Sequence, residues 1–277
     1  MATIAECLAL AAELAPLSDT PRLDTELLLG AAVSKSRTWL FTWPDHRLES
    51  QQLAQFLESF RRRKSGEPVA YILGEKEFWS LPLAVDHSTL IPRPDTELLV
   101  ASVIEMPIAK NRILDLGTGS GAIALALASE LTHTEIIAVD KYPQAVALAR
   151  RNLQHLGFSN VTVMQSDWFA ALDAQKFDVI VSNPPYIDGG DPHLTRGDVR
   201  FEPLTALVAA DKGLADIRHI ITHSPDYLTP GGYLLLEHGW QQDEVVAHIF
   251  AGKGYKNIKT QQDLAGNNRV TLGQFHG

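Results

Sequence analysis

Arg112-Ile113-Leu114-Asp115-Leu116-Gly117-Thr118-Gly119-Ser120-Gly121, continued by Ala122-Ile123-Ala124-Leu125-Ala126-Leu127-Ala128, decides the fold. A short apolar run enters a glycine-rich turn and leaves as an alanine- and leucine-rich helix, the pattern of a nucleotide-binding βα unit. The glycines permit φ > 0 and remove Cβ atoms, so a ligand can approach the backbone and meet N–H groups at a helix start. Gly117, Gly119 and Ala122 also satisfy the dinucleotide fingerprint, so glycine spacing alone leaves NAD in play. Asp115, two residues before Gly117, is the separating feature. A carboxylate there opposes a diphosphate but suits a ligand bearing an ammonium and a sulfonium, as S-adenosylmethionine does. The plain structural alternative for Asp115 is a helix cap or a brace for the turn.

Working outward, Glu135-Ile136-Ile137-Ala138-Val139-Asp140 reads as the next strand and ends in an acid. A carboxylate at a strand's C-terminal end accepts both hydroxyls of a ribose. Asp140 therefore supports a nucleoside without choosing between NAD and S-adenosylmethionine; a cap on the helix near Pro143 is its other reading. A third strand, Val161-Thr162-Val163-Met164, precedes Ser166-Asp167-Trp168. Trp168 is the candidate wall for an adenine ring, and Asp167 can accept from an exocyclic amine. Edge-of-core packing is the alternative for both.

Phe177-Asp178-Val179-Ile180-Val181-Ser182 runs directly into Asn183-Pro184-Pro185-Tyr186. Proline lacks a backbone N–H and has a fixed φ, so the chain leaves the sheet stiffly and the Pro184 carbonyl can point into a pocket. The Asn183 side-chain oxygen supplies a second acceptor. Tyr186 can cover a flat amide or heterocycle. Two acceptors beside an aromatic face suit a planar NH2 group.

Asp115 to Gly121, Asp140, Trp168 and Asn183-Pro184-Pro185-Tyr186 resemble class I methyltransferases of the amino-methylating branch. More narrowly, the chain resembles the release factor glutamine methyltransferases, the PrmC/HemK family. Ile91-Pro92-Arg93-Pro94-Asp95-Thr96-Glu97, Arg200-Phe201-Glu202-Pro203-Leu204-Thr205-Ala206-Leu207 and Leu235-Leu236-Glu237-His238-Gly239 extend the likeness over nearly the whole length. The resemblance implies an α/β, Rossmann-like fold with a seven-stranded, mostly parallel sheet, a small N-terminal helical bundle and a β-hairpin linker. It implies S-adenosyl-L-methionine as cofactor, bound by Gly117, Thr118, Gly119, Ser120, Gly121, Asp140, Trp168 and Asn183. Asn183 and Pro184 are then catalytic, and Asn183, Pro184, Pro185 and Tyr186 hold the substrate. That substrate is the glutamine of the Gly-Gly-Gln motif in class I peptide chain release factors, methylated on its side-chain nitrogen.

Residues 1–73 read as short amphipathic helices over Ile4–Leu14, Pro21–Gly30, Arg37–Phe41 and Ser50–Lys64, with Pro16, Gly30, Pro44 and Gly66 as punctuation. Apolar residues recur at three- and four-residue spacing, as in Leu53, Phe56, Leu57 and Phe60. A bundle suited to docking a release factor is expected there. Residues 74–93 read as a hairpin linker built on Lys76–Val85. Residues 94–277 alternate strands and helices, which predicts a parallel sheet wound on both faces. Two last strands, near Lys256–Thr260 and Arg269–Phe275, should close an antiparallel edge.

The chain has 277 residues, of which 45% are hydrophobic, enough for two domains with a buried core. Its apolar stretches fall far short of a span of about 20 residues, and Met1-Ala2-Thr3 opens no signal peptide. A cytoplasmic monomer away from membranes is expected. The single Cys7 excludes an internal disulfide, and no Cys/His spacing suits zinc, so no metal is expected. His238, beside Glu237, is the one histidine at a strand end and reads as structural. The net charge of −9 disfavours a duplex DNA partner. Arg61-Arg62-Arg63-Lys64 is the one dense basic run, either a solvated helix end or a nucleic-acid contact.

An amide nitrogen is a poor nucleophile because its lone pair is delocalised into the carbonyl. Acceptance of both amide hydrogens by Asn183 and Pro184 would fix the nitrogen on the line of the methyl–sulfur bond and stabilise the charge developing on it. No strong base is needed, since the methylated cation is far more acidic than the amide. A nucleic-acid amino-methyltransferase acting on adenine or guanine would use nearly the same pocket and is the second reading; it calls for a basic groove. A dehydrogenase leaves 183–186 unexplained, and a non-catalytic protein on this fold is the remaining alternative.

Overall fold

A computed structural model of the protein describes residues 2–277. They form two compact units, the first running to Glu75 and including Pro192–Phe201, the second comprising Lys76–Asp191 and Glu202–Gly277.

The first unit is helical. Thr3 starts the Ile4–Ala9 helix through a capping box: its hydroxyl accepts from the Glu6 amide, and the Glu6 carboxylate accepts from the Thr3 amide. A tighter 3-10 stretch, Leu10–Leu14, continues it. Pro21 occupies the first turn of the Pro21–Val33 helix, where a missing N–H costs nothing. That helix does not stop at Gly30, as its glycine suggests. The chain folds back at this point, and a Cβ on Gly30 would lie 2.9 Å from the Lys35 carbonyl oxygen, so the glycine serves close packing. The turn comes at Ser34, with φ of 53°. Arg37–Thr42 and Ser50–Lys64 follow, and then Val69–Leu73, a helix too short to announce itself by periodicity. Ile4, Leu14, Leu28, Leu29, Leu40, Leu48 and Phe56 fill the interior.

The basic run is consumed within this unit. Arg61 pairs with Glu58 at 2.7 Å, Arg62 with Glu67, and Lys64 with Glu13 at 2.7 Å. Arg63 is buried and bridges Asp24 and Asp198, each at 2.7 Å.

The second unit opens on a hairpin of β1 (Glu75–Phe78) and β2 (Leu81–Ala84), turned by Trp79 and Ser80 at φ of 52° and 60°. Positive φ at both turn residues matches the twist of the flanking strands. The main sheet comprises β3 (Arg112–Leu116), β4 (Glu135–Asp140), β5 (Val161–Gln165), β6 (Phe177–Ser182), β7 (Leu228–Glu237), β8 (Lys256–Gln262) and β9 (Asn268–Gln274). Their spatial order is β5-β4-β3-β6-β7-β9-β8. The first five are parallel, and β9 runs antiparallel between β7 and β8. The antiparallel strand thus lies one position in from the edge, because β8 must return to pair with the far side of β9.

Alternate residues of each central strand enter opposite cores, as period-two side-chain direction demands. Ile113, Ile136, Ala138, Val179, Val181 and Leu235 pack on one face. Leu114, Leu116, Ile137, Val139, Ile180, Leu234 and Leu236 pack on the other. Burial on both faces is what allows a parallel sheet to be nearly continuous apolar sequence. The order of winding reverses between β3 and β6, which opens a crevice beyond the carboxyl ends of those strands.

Candidate active site

A cavity of about 410 Å³ lies at that crevice, within the usual range for small-ligand sites. Gly117, Thr118, Gly119 and Ser120 form its floor after β3. Gly117, Gly119 and Gly121 take φ of 70°, 55° and 87°, a region that side chains with a Cβ rarely enter. Gly121 faces away from the cavity wall: a Cβ there would sit 3.1 Å from Leu125 and 3.4 Å from Ala149, so its bareness lets two helices close up.

Asp140, at the end of β4, does two things at once. One carboxylate oxygen accepts from the Gly119 amide at 3.0 Å and the other from the Tyr142 amide at 2.9 Å, bracing the glycine turn and the turn that precedes the Pro143–Leu156 helix. It also lines the cavity, and each oxygen keeps a lone pair for a ligand hydroxyl. Burial pushes its carboxyl up, against the opposing pull of these amides.

Asp115 plays the structural part. It is fully buried, outside the cavity wall, and takes the Thr118 hydroxyl at 2.6 Å. Burial drives its carboxyl up to about 7. The side chain braces the turn, and β3 directs it to the face that Ile113 shares, with Oδ1 left without a hydrogen-bond partner among the described residues.

Trp168 lines the cavity with φ of 49°, a left-handed conformation that is costly for a bulky residue. Ser166 holds it there, its hydroxyl donating to the Trp168 carbonyl at 2.7 Å and accepting from the Ala171 amide at 3.0 Å. Asp167 turns outward to Lys141 at 2.8 Å and is not part of the wall. Asp216, in the first turn of Ala215–His223, is the acid that lines the cavity instead. No motif marks it in the sequence.

β6 delivers Asn183. The Ser182 hydroxyl donates to the Leu116 carbonyl at 2.7 Å and ties the two strand ends together. Asn183 and Pro185 are among the residues that line the cavity; Pro184 and Tyr186, which adjoin them in the chain, are not. Asn183 Nδ2 donates to Thr96 Oγ1 at 3.1 Å, which leaves Oδ1 as the acceptor of that side chain. The Tyr186 hydroxyl donates to Glu237 Oε1 at 3.4 Å, and burial, then the Glu237 charge, raises its pKa.

Two further stretches complete the wall. Ser88, Thr89, Leu90, Pro92, Arg93 and Thr96 line one part, and Leu204, Thr205, Ala206 and Val208 another. Glu202 clips them together: it accepts from the Ile91 amide at 3.0 Å and pairs with Arg93. Their residue types name no chemistry, so only likeness to a family singles them out. His238 is buried with Nδ1 2.9 Å from the Gly239 carbonyl and Nε2 2.8 Å from the Thr271 hydroxyl, outside the wall, as its structural reading requires. Among the described residues, no group of three or more His, Cys, Asp or Glu could hold a metal ion, and no helix is long and apolar enough to cross a membrane.

The strand order and the crevice beyond β3, β4 and β6 define a class I methyltransferase fold. Residues 93–198 match the methyltransferase small domain, and residues 7–74 match the PrmC N-terminal domain. A methyltransferase from Pyrococcus furiosus superposes with a TM-score of 0.55 at 21% identity, covering 79% of this chain and 98% of its own. A 16S rRNA methyltransferase of T. thermophilus, in complex with AdoMet and guanosine, gives 0.54 at 20% identity over 73% and 50% of the two chains. At these identities the likeness concerns the fold alone. Release factor glutamine methyltransferase of Salmonella typhimurium is 55% identical over 93% of this chain and 94% of its own. The chain belongs to the release factor glutamine methyltransferase family.

Proposed function

We propose that this protein transfers the methyl group of S-adenosyl-L-methionine to the side-chain nitrogen of glutamine in the Gly-Gly-Gln motif of class I peptide chain release factors. The observation that carries the reading is the state of Asn183. It lines the cavity after β6, and Thr96 occupies its Nδ2, so Oδ1 is available to accept from an incoming primary amide.

The cavity fits the cofactor. Ser120 Oγ is buried in the wall with no hydrogen-bond partner among the described residues, as expected of a site that takes a polar ligand. Asp140 offers a lone pair on each oxygen to the paired hydroxyls of a ribose, and Trp168 offers a flat face to an adenine. When bound, S-adenosylmethionine supplies an electrophilic methyl group on a sulfonium.

The chain's own residues orient the nucleophile. Asn183 Oδ1 accepts one amide hydrogen and the Pro184 carbonyl the other, which aims the nitrogen and stabilises the positive charge that grows on it. Tyr186 and Pro185 limit how the amide plane can rotate. The surplus proton leaves a nitrogen made strongly acidic by methylation, so water suffices to take it.

The first 73 residues serve as the docking element for the release factor, residues 74–93 as the linker and 94–277 as the catalytic domain. The chain acts as a monomer in translation termination, in the cytoplasm. Pairing of the whole Arg61–Lys64 run with carboxylates supports a protein substrate over a nucleic acid.

Incubation with methyl-labelled S-adenosylmethionine and, separately, a release factor, bulk DNA and ribosomal RNA tests the proposal. Label is expected in the release factor, on the glutamine of its Gly-Gly-Gln peptide. Label confined to either nucleic acid would replace this reading with the amino-methylation of a base.

A further inference from the structure

Tyr186 closes the Asn183–Tyr186 stretch with a backbone clamp that the transfer as described does not use. Its carbonyl accepts from Gln242 Nε2 at 3.0 Å, while the amide on the other side of the same peptide, that of Ile187, donates to the Leu207 carbonyl at 2.9 Å. A peptide plane bonded at both ends resists rotation. The Ile187 carbonyl accepts from the Ala209 amide at 3.1 Å, so a short parallel bridge also joins this loop to Val208, which lines the cavity.

Helix capping does not explain Gln242. It stands at the N-cap of the Asp243–Gly252 helix, a position that favours Ser, Thr, Asp or Asn, and its side chain makes no capping bond. Oε1 accepts from the Gly239 amide at 2.9 Å instead, which turns Nε2 toward Tyr186 and leaves it 3.5 Å from the Lys212 carbonyl. The chain on the far side is strained: Asp211, Lys212 and Gly213 are all left-handed, with φ of 53°, 55° and 84°. A Cβ on Gly213 would lie 2.1 Å from the Tyr186 carbonyl oxygen and 3.0 Å from Gln242 Nε2. Such strain persists only where the surroundings impose it, and here it brings two segments onto one carbonyl.

The consequence reaches two residues back. Pro184 and Pro185 have fixed φ, and a residue that precedes proline is restricted further. Asn183 Nδ2 ties the near end of the stretch to Thr96 at 3.1 Å. With the far end tied at Tyr186, the Pro184 carbonyl between them keeps one direction. Pro184 is buried, and no backbone amide among the described residues donates to its oxygen. A carbonyl in such a place calls for a partner from outside the chain.

We propose that Gln242 is a positioning residue which, by gripping the Tyr186 carbonyl, locks the far end of the Asn183–Tyr186 stretch and so holds the Pro184 carbonyl on the hydrogen of the substrate amide. This rests on the amide-methylating reading above. Gln242 itself touches neither substrate nor cofactor: it lies outside the cavity wall and acts through the backbone.

Steady-state kinetics with a release factor as acceptor, and S-adenosylmethionine titration, on Gln242→Glu and Gln242→Met test this. Gln242→Glu keeps an acceptor for the Gly239 amide but sets a carboxylate oxygen against the Tyr186 carbonyl in place of a donor. At about pH 8 its kcat should fall about tenfold or more, with cofactor affinity within about twofold of wild type. As pH falls toward about 5 the carboxyl regains a hydrogen that it can donate to Tyr186, so the ratio of variant to wild-type kcat should climb. Gln242→Met keeps the length of the side chain and loses both bonds, and its deficit relative to wild type should be the same at every pH. Full kcat in Gln242→Glu at about pH 8 would overturn the assignment, as would a deficit that acid does not relieve or one that it relieves equally in Gln242→Met. So would loss of cofactor affinity together with kcat in both variants, which would make Gln242 a residue of the fold. A wild-type enzyme unable to label release factor removes the underlying reading; one that labels it while Gln242→Glu is unimpaired removes only the role of Gln242.

Discussion

Asn183 and Asp140 both stand at strand ends, but they bear on different steps. In the proposed mechanism Asn183 meets the substrate nitrogen, so Asn183→Ala should lower kcat by a factor on the order of a hundred while leaving cofactor affinity near its original value, as loss of one transition-state contact does. Turnover and calorimetric titration separate the two. Asp140→Ala should do the reverse and weaken cofactor binding by roughly 1.5–3 kcal/mol, the scale of a lost charge-assisted hydrogen bond. Unchanged titration would leave Asp140 with only its bonds to Gly119 and Tyr142. That both would stand at the mouth of the crevice was readable in the sequence because each ends an apolar run, and both line the cavity. Asp216 was not, since an acid in the first turn of an amphipathic helix looks like any N-terminal acid. Asp115 had two readings in the sequence, facing a ligand's cations or bracing the turn, and its bond to Thr118 is the second. Sequence spacing cannot say whether a carboxylate at a strand end points to the ligand or into the core, and here the pleat directs it inward.

Elements carry these side chains, and the clip between two of them is as consequential as the strands. Glu202 holds the segment around Ile91 and Arg93, and both neighbouring stretches line the cavity. Glu202→Ala leaves the buried Ile91 amide and the partly exposed Arg93 guanidinium without this partner. Stability should drop by about 1–3 kcal/mol, the cost of leaving the buried Ile91 amide unsatisfied, measured by denaturant unfolding, since solvent reaches the Arg93 side chain. Cofactor affinity should fall as well, because the wall loses its brace. A loss below about 1 kcal/mol would mean that the Ile91 amide finds another acceptor. The strands themselves were legible from apolar runs ended by Gly, Asp or Asn-Pro-Pro. The insertion of β9 between β7 and β8 was not, because pairing partners depend on which ladder the returning chain reaches and not on its own residues. Gly30 likewise looked like a stop signal, and the packing of the Lys35 carbonyl against it is visible only in three dimensions.

At the scale of the molecule, the two compact units differ in what a ligand can do for them. The cavity residues all belong to the second unit. S-adenosylmethionine at a hundred times its dissociation constant should stabilise that unit by about 2.7 kcal/mol and raise its melting temperature by several degrees. Calorimetry should register the shift in the transition of the second unit; a shift shared equally by every transition would show the units unfolding as one. The division into a helical start and an alternating α/β remainder was legible from the change of period after the hairpin, from three-to-four residue spacing to strands alternating with helices. What no local pattern announced was the return of Pro192–Phe201 to the first unit, which depends on the buried Arg63 meeting Asp198.

The geometry of the substrate amide is open to direct observation: a crystal structure of the protein with S-adenosylhomocysteine and a Gly-Gly-Gln peptide. The glutamine nitrogen should lie at about 2.7–3.2 Å from both Asn183 Oδ1 and the Pro184 carbonyl oxygen, with Asn183 Nδ2 still on Thr96. A glutamine side chain bound elsewhere, or an Asn183 carboxamide that presents its NH2 group to the cavity, would contradict this mechanism.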